Sequence, residues 1–285
     1  MSSVNTNVNA SVAQNALARN ERSMDTAMER LSTGKRINSA KDDAAGLAIS
    51  ARMTSQIRGL EAGVKNAGDA LSMISVADGA LVEVGNMLQR MRELTIQAGN
   101  GTITTADRSY LNSEYQNLIT EIERIADNTQ WNGTNILNQA SSSSSTFAYQ
   151  VGANGGQTVS VNFGAVDQTT GSAFAVFAGS AASIAFTNAS AAADSSGVLT
   201  NIDAAITELS EQRSTFGAAM NQLTYAIDNL SNVKVNSEAA RSRIEDTDYA
   251  AETSELARTQ IIHQAGVAML AQANQVTATV LALLR

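Results

Sequence analysis

Three observations predict a mainly α chain: a long, coiled-coil-like helical bundle built from both chain ends, with a small β-rich insertion in the middle. The 285 residues contain no proline, so no side-chain ring interrupts a helix. Apolar residues recur at seven-residue spacing in both halves of the chain, the pattern of helices packed along a seam. Between the halves, residues 140–193 carry Asp167 as their only charge and hold half of the aromatic side chains.

The N-terminal arm comes first. Val4, Val8 and Val12 line one face of a helix, followed by Leu17, Met24 and Leu31, and no charged side chain precedes Arg19. Gly34, beside Lys35 and Arg36, falls where this arm should meet the bundle. It reads as a hinge, since no phosphate-loop pattern surrounds it.

A long helix is predicted next, from about Ala44 to Ala98. Leu60, Ala67, Ile74, Leu81 and Leu88 stand seven residues apart. Ile57, Val64 and Leu71 flank the row early; Ala77, Val84 and Met91 flank it later. Such drift is expected when 3.6 residues per turn meets a heptad pattern. At 1.5 Å per residue this helix is about 80 Å long. Gly99-Asn100-Gly101 ends it. A further helix follows, with Leu111, Tyr115, Leu118, Ile122 and Ile125 at alternating steps of four and three.

The middle window opens with the serine run 141–145. Residues 147–151 and 157–163 alternate like strands around Asn154-Gly155, which predicts a small β-rich insertion looped out at the far end of the bundle; a disordered Ser/Gly/Ala linker is the alternative. The seam then returns through Ile202, Ile206, Leu209, Arg213, Phe216, Met220, Leu223, Ile227 and Leu230. Arg213 is its one polar member, with its stem along the seam and its charge outside.

In the C-terminal arm, Ile262, Met269, Val276 and Leu283 form one row and Leu270 and Leu284 an adjacent one. No charge lies between Arg258 and Arg285, yet Gln260, His263, Gln264, Gln272, Asn274 and Gln275 argue against a membrane span. Ordering either arm of about 40 residues costs on the order of 60 kcal/mol. An amphipathic helix pair offsets this poorly. The arms are therefore expected to order fully only when many copies bury them together.

The same composition removes most enzyme chemistry. Without cysteine there is no thiolate nucleophile, disulfide or zinc–thiolate site. With His263 as the only histidine, H-E-x-x-H sites and histidine cages are excluded. A net charge of −8 argues against nucleic acid as a partner. Two acidic clusters, Asp42-Asp43 and Glu245, Asp246, Asp248, are interspersed with Lys41, Arg241 and Arg243. They are expected to be ion-paired helix faces rather than a cation site. No catalytic, cofactor-binding or metal residues are expected.

Several motifs together resemble bacterial flagellin: residues 31–50 (LSTGKRINSAKDDAAGLAIS), 88–94 (LQRMREL), 131–137 (WNGTNIL), 242–250 (SRIEDTDYA), 264–266 (QAG), 270–275 (LAQANQ) and 280–285 (VLALLR). The resemblance covers about residues 1–138 and 198–285. It implies a self-assembling filament subunit for swimming motility. Residues 1–42 and 245–285 would be inner-tube arms, 43–139 and 198–244 outer-tube helices, and 140–197 a short variable outer segment. Packing of the filament core would fall to Val4, Val8, Val12, Leu17, Ile262, Met269, Val276, Leu283 and Leu284.

The resemblance also implies partners. These are other copies of the chain, a flagellar export chaperone, a filament cap protein and a hook-associated junction protein. Type III export without signal cleavage would deliver the chain to the extracellular flagellum. Arg90, Leu94 and Glu114 match positions contacted by the animal innate flagellin receptor. Leu281, Leu283 and Leu284 match the leucines read by cytosolic inflammasome sensors. The chain departs from the family at Thr277 and Ala278, where a proline-glutamine pair is usual, and at His263, more often glutamine. Alternative readings are a hook–filament junction protein and a type III-secreted, membrane-active effector.

Overall fold

The computed structural model describes residues 7–138, 146–164 and 191–283, with side chains for all of these except 191–194 and 276–283. Among them are helices α1 (Val8–Thr33), α2 (Ala44–Ala98), α3 (Thr105–Asn128), α4 (Ala191–Glu245) and α5 (Tyr249–Leu283). Four short strands lie between α3 and α4: β1 (Gln130–Trp131), β2 (Thr134–Asn135), β3 (Thr146–Gln150) and β4 (Thr158–Asn162). The chain divides into two compact units. One joins Met1–Ile57 to Val235–Arg285; the other is Arg58–Lys234. The mainly α reading with a small β-containing middle holds.

The core of the 58–234 unit is the heptad row itself. Ala67, Ile74, Leu81 and Leu88 of α2 are fully buried, as are Val84, Met91 and Leu94. They form one cluster with Tyr115 and Ile122 of α3 and with Ile202, Phe216 and Leu223 of α4. Arg213 behaves as its seam position predicts: its Nε donates to Asp78 Oδ1 at 2.8 Å from outside the core. In α3 the buried line runs through Arg108, Tyr115, Ile119, Ile122 and Ala126. Leu118 and Ile125 are only partly buried against it. The expected face is thus rotated by about one residue. By length and composition α2 is the one described helix that qualifies to cross a membrane. Its apolar row is accounted for by this core.

Two local devices close the turn from α2 to α3. Thr104 and Asp107 form a reciprocal capping box at the start of α3, satisfying donors that a helix start leaves unpaired. One turn into α3, Arg108 reaches back: its Nε donates to Ala98 O at 2.9 Å and its Nη2 to Asn100 O at 3.1 Å. A cation thus caps the carbonyl end of α2, where the helix dipole favours it. After α3, Asn132 (φ 49°) and Gly133 (φ 78°) turn β1 into β2. Both central residues of a two-residue hairpin of this type need positive φ.

The β3–β4 hairpin differs in position from the loop-out expected at the far end of the bundle. It lies back along the helices. Its strands pair antiparallel with Thr146 opposite Asn162 and Gln150 opposite Thr158. Alternation puts Phe147, Tyr149, Val159 and Val161 on one face, and that face joins the core cluster. Phe163 is the link, with ring centroids 5.3 Å from Phe147 and 5.1 Å from Phe216. Gln212 Nε2 donates to Asn162 O at 2.6 Å, and Asn66 Nδ2 to Gln150 O at 2.9 Å. Burial pushes the Tyr149 hydroxyl up to about 12 and also raises Tyr115. The serine run and residues 165–190 lie outside the described residues.

Gly63 makes this docking fit. A Cβ there would sit 2.7 Å from the backbone oxygen of Val151. Gly63→Val is expected to push the 150–153 loop off α2. Hydrogen exchange should then accelerate in the β3–β4 ladder, with little change in the α2–α3 amides. Unchanged ladder protection would show that the close approach is dispensable.

Candidate functional site

The unit formed by the two chain ends is an antiparallel pair, α1 against α5. Its packing is close because small residues meet. Ala10 and Ala27 are the residues that α1 buries fully, and a Cβ on Gly266 would come within 3.1 Å of Leu17 Cδ1. Side-chain amides tie the helices to each other's backbone. Asn20 Nδ2 donates to Thr259 O at 2.7 Å, and Asn7 Nδ2 to Ala273 O at 3.1 Å. Carbonyls inside a helix already accept one bond, so these amides use the second lone pair.

A backbone clasp joins the α1–α2 connection to the α4–α5 connection. Lys35 bridges antiparallel to Asp246. Arg36 N donates to Glu245 O at 2.6 Å, and Thr247 N to Gly34 O at 3.1 Å. Lys35 Nζ pairs with Glu245 Oε1 at 2.5 Å, and Arg36 Nη2 donates to Ile244 O at 2.6 Å. Gly34 is the left-handed C-cap of α1 at φ 72°. Its N–H returns to Arg30 O at 2.8 Å while its carbonyl serves the clasp.

The acidic clusters flank the same clasp, and their partners differ from those expected. Asp43 Oδ1 accepts from Gly46 N at 2.9 Å and Asp248 Oδ1 from Ala250 N at 2.9 Å. These carboxylates cap the starts of α2 and α5. Asp42 Oδ2 accepts from Ser39 and Asn38, and those backbone bonds, Ser39 first, hold its carboxyl below the ordinary range. Arg241 donates instead to Thr54, and Arg243 to Ala239 O. Lys35, not Lys41, pairs with Glu245. Among the described residues no group of three or more His, Cys, Asp or Glu side chains is placed to hold a metal.

Part of what the pair leaves uncovered is apolar. Val8 and Val12 are 59% and 62% exposed, and Met269 is 66% exposed. Ile262, with its neighbour Ile261, also faces outward, whereas Leu17 is half-buried against Gly266. Val12, Ala13 and Ala16 of α1 and Met269 and Ala273 of α5 line an open cleft of about 450 Å³. Of the other core-packing candidates, Val4 and Leu284 lie outside the described residues. Val276 and Leu283 are described only as α5 backbone, as is Leu281 of the sensor-contact candidates.

The second candidate group lies on α2 and α3. Arg90 Nε donates to Glu114 Oε1 at 2.9 Å and its Nη1 to Glu93 Oε2 at 3.0 Å. These bonds, Glu114 first, raise the guanidinium above its ordinary value. Both side chains of the Arg90–Glu114 pair are about half exposed. Leu94 is different. It is completely buried in the helical core, so it supports that surface from beneath and offers no contact of its own.

The model of the bacterial flagellin N-terminal helical region matches residues 4–142, and that of the C-terminal helical region matches 199–284. A flagellin of Halalkalibacterium halodurans is 44% identical over 284 residues, spanning 99% of both chains. A flagellin of Bacillus subtilis is 41% identical over 305 residues, again spanning 99% of both. Among solved structures, a candidate flagellar hook-associated protein from Vibrio parahaemolyticus matches with a TM-score of 0.61 at 18% identity. That match covers 72% of this chain and 100% of the other, and it bears on the fold alone.

Gly34→Val tests the clasp. Left-handed backbone costs an L residue about 1–2 kcal/mol, and a Cβ there would meet Tyr249 Oη at 2.9 Å. Thermal unfolding of the terminal unit should fall by about that much free energy, with faster exchange at Arg36 N–H and Thr247 N–H. Gly34→Ala should show a smaller loss, since it adds no β-branch.

Proposed function

The chain belongs to the bacterial flagellin family and is a structural subunit of a flagellar filament, and from that premise we propose that the α1–α5 pair is its filament-core contact. The outward row of Val8, Val12, Ile262 and Met269 carries this reading. Four exposed apolar side chains on one thin helix pair are a liability in water and an asset in a polymer that covers them. Residues 1–42 and 245–285 then form the inner tube, 43–139 and 198–244 the outer tube, and 140–197 the variable outer segment. The relatives above are flagellins aligned along nearly their whole length. That favours a filament subunit over a junction protein or a membrane-active effector.

The same surfaces support a route and partners. The uncharged interval between Arg258 and Arg285 suits capture by an export chaperone before type III export to the outside of the cell. A cap protein would place each subunit at the growing tip, and a hook-associated junction protein would seat the first ones. The exposed Arg90–Glu114 pair is proposed as the contact for the animal innate flagellin receptor, over the buried Leu94. The C-terminal leucines Leu281, Leu283 and Leu284 remain proposed for cytosolic inflammasome sensors.

Two measurements test these assignments. Purified protein is expected to form long filaments by electron microscopy after seeding, and removal of residues 280–285 should abolish them while far-UV circular dichroism stays helical. Filaments of normal length from that truncation would remove the terminal pair from the core. Arg90→Glu should reduce receptor signalling by monomers roughly tenfold or more, as for loss of a charge pair at an interface. An unchanged response would move the receptor site elsewhere.

A further inference from the structure

We propose that α1 carries both halves of a charged contact between copies of this chain: a cationic cleft on one side and a carboxylate row on another. The inference rests on the filament reading and assigns it a specific interface. The cleft, about 500 Å³, is lined by Arg19, Arg22, Arg30 and Lys41 against Glu252 and Glu255. Its charges do not cancel. Glu255 is engaged by Arg258, and Glu252 meets Arg30 at 3.6 Å. Arg19, Arg22 and Lys41 form no ion pair among the described residues. Arg30 Nε is buried without a hydrogen-bond partner and lies out of reach of an incoming group, so Arg19, Arg22 and Lys41 carry the free charge of the cleft.

The matching anions stand on the same helix. Glu21, Asp25 and Glu29 occupy positions i, i+4 and i+8 of α1 and are all exposed. None is in an ion pair among the described residues. At 3.6 residues per turn they form one row, roughly 130° around the helix from Arg19 and Arg30, with Arg22 between the two. Both sets cover the same stretch of α1. Copies related by a screw axis keep their helices inclined alike, so the row of one can lie against the cleft of the next. Guanidinium forks suit carboxylates in that geometry. A contact between two different patches is heterologous, and repetition of such a contact builds open helical filaments.

The occupant is therefore a second copy of this chain, and charge reversal on the intact protein tests it. Arg19→Glu/Arg22→Glu and Glu21→Lys/Asp25→Lys should each raise the critical concentration for polymerisation on the order of tenfold. Sedimentation reads the concentration and circular dichroism verifies the fold. An equimolar mixture of the two variants restores complementary contacts and should polymerise nearly as the unmodified chain does. A chain carrying all four changes should do the same. Variants that polymerise normally alone overturn the contact, as does failure of both the mixture and the four-fold variant to recover. Failure of the unmodified chain to polymerise overturns the filament reading itself, and this contact with it.

Discussion

Burial of a seven-residue row on a helix that turns every 3.6 residues is the constraint from which the 58–234 unit follows. The row of Leu60, Ala67, Ile74, Leu81 and Leu88 cannot stay on one line of a straight helix, because it drifts by about 20° per heptad. One partner helix therefore covers only part of its length. Tyr115 and Ile122 of α3 join the cluster together with Met91 and Leu94, while Phe216 and Leu223 of α4 and Phe163 after β4 complete it. The β3–β4 hairpin is thus part of the core, where its alternating aromatic face completes the cover. The missing proline is what permits a row this long, since a ring in α2 would have broken it.

The terminal unit obeys a different rule. It contains few large buried side chains, and it substitutes polar geometry for apolar mass. Asn7 and Asn20 reach across to α5 carbonyls, and Gly34 and Thr247 close a short backbone bridge. Each such bond contributes only about 0.5–1.5 kcal/mol net, but together they define which face of the pair remains outside. That face is apolar at Val8, Val12 and Met269. The pair is specified by its polar contacts and left hungry for further burial.

Much of this was legible in the residues, and the exceptions have physical reasons. The α2 and α4 seams, and the strands near 147–151 and 157–163, follow from periodicity, which is local information. The Asn132-Gly133 hairpin was equally local; its turn signal stood inside a motif noted for other reasons. By contrast, α3 turned one residue from its expected face: Ile119 and Ala126 are buried and Leu118 and Ile125 only partly so, and spacing alone does not choose between these adjacent rows. Acid clusters were legible as clusters, but whether Asp43 and Asp248 pair with cations or cap helices depends on where the helices begin. The clasp between residues 34–36 and 244–247 spans more than 200 residues of chain, as does the placement of exposed terminal side chains in space. Spacing along a sequence carries no distance of that kind.

Charge is partitioned in the same way as packing. The chain's net charge of −8 falls entirely within residues 58–234, whereas the terminal unit holds equal numbers of acids and bases. A balanced unit could scatter its signs at random around each helix. On α1, Arg19 and Arg30 share one side and Glu21, Asp25 and Glu29 another, with Arg22 between them. Among the described residues Arg19 and Arg22, and Glu21, Asp25 and Glu29, are left without an ion pair. The terminal unit is balanced as a whole and unbalanced on the faces of α1. Such a surface is indifferent to most partners and complementary to itself, and repulsion between misaligned copies sharpens register as effectively as attraction between aligned ones.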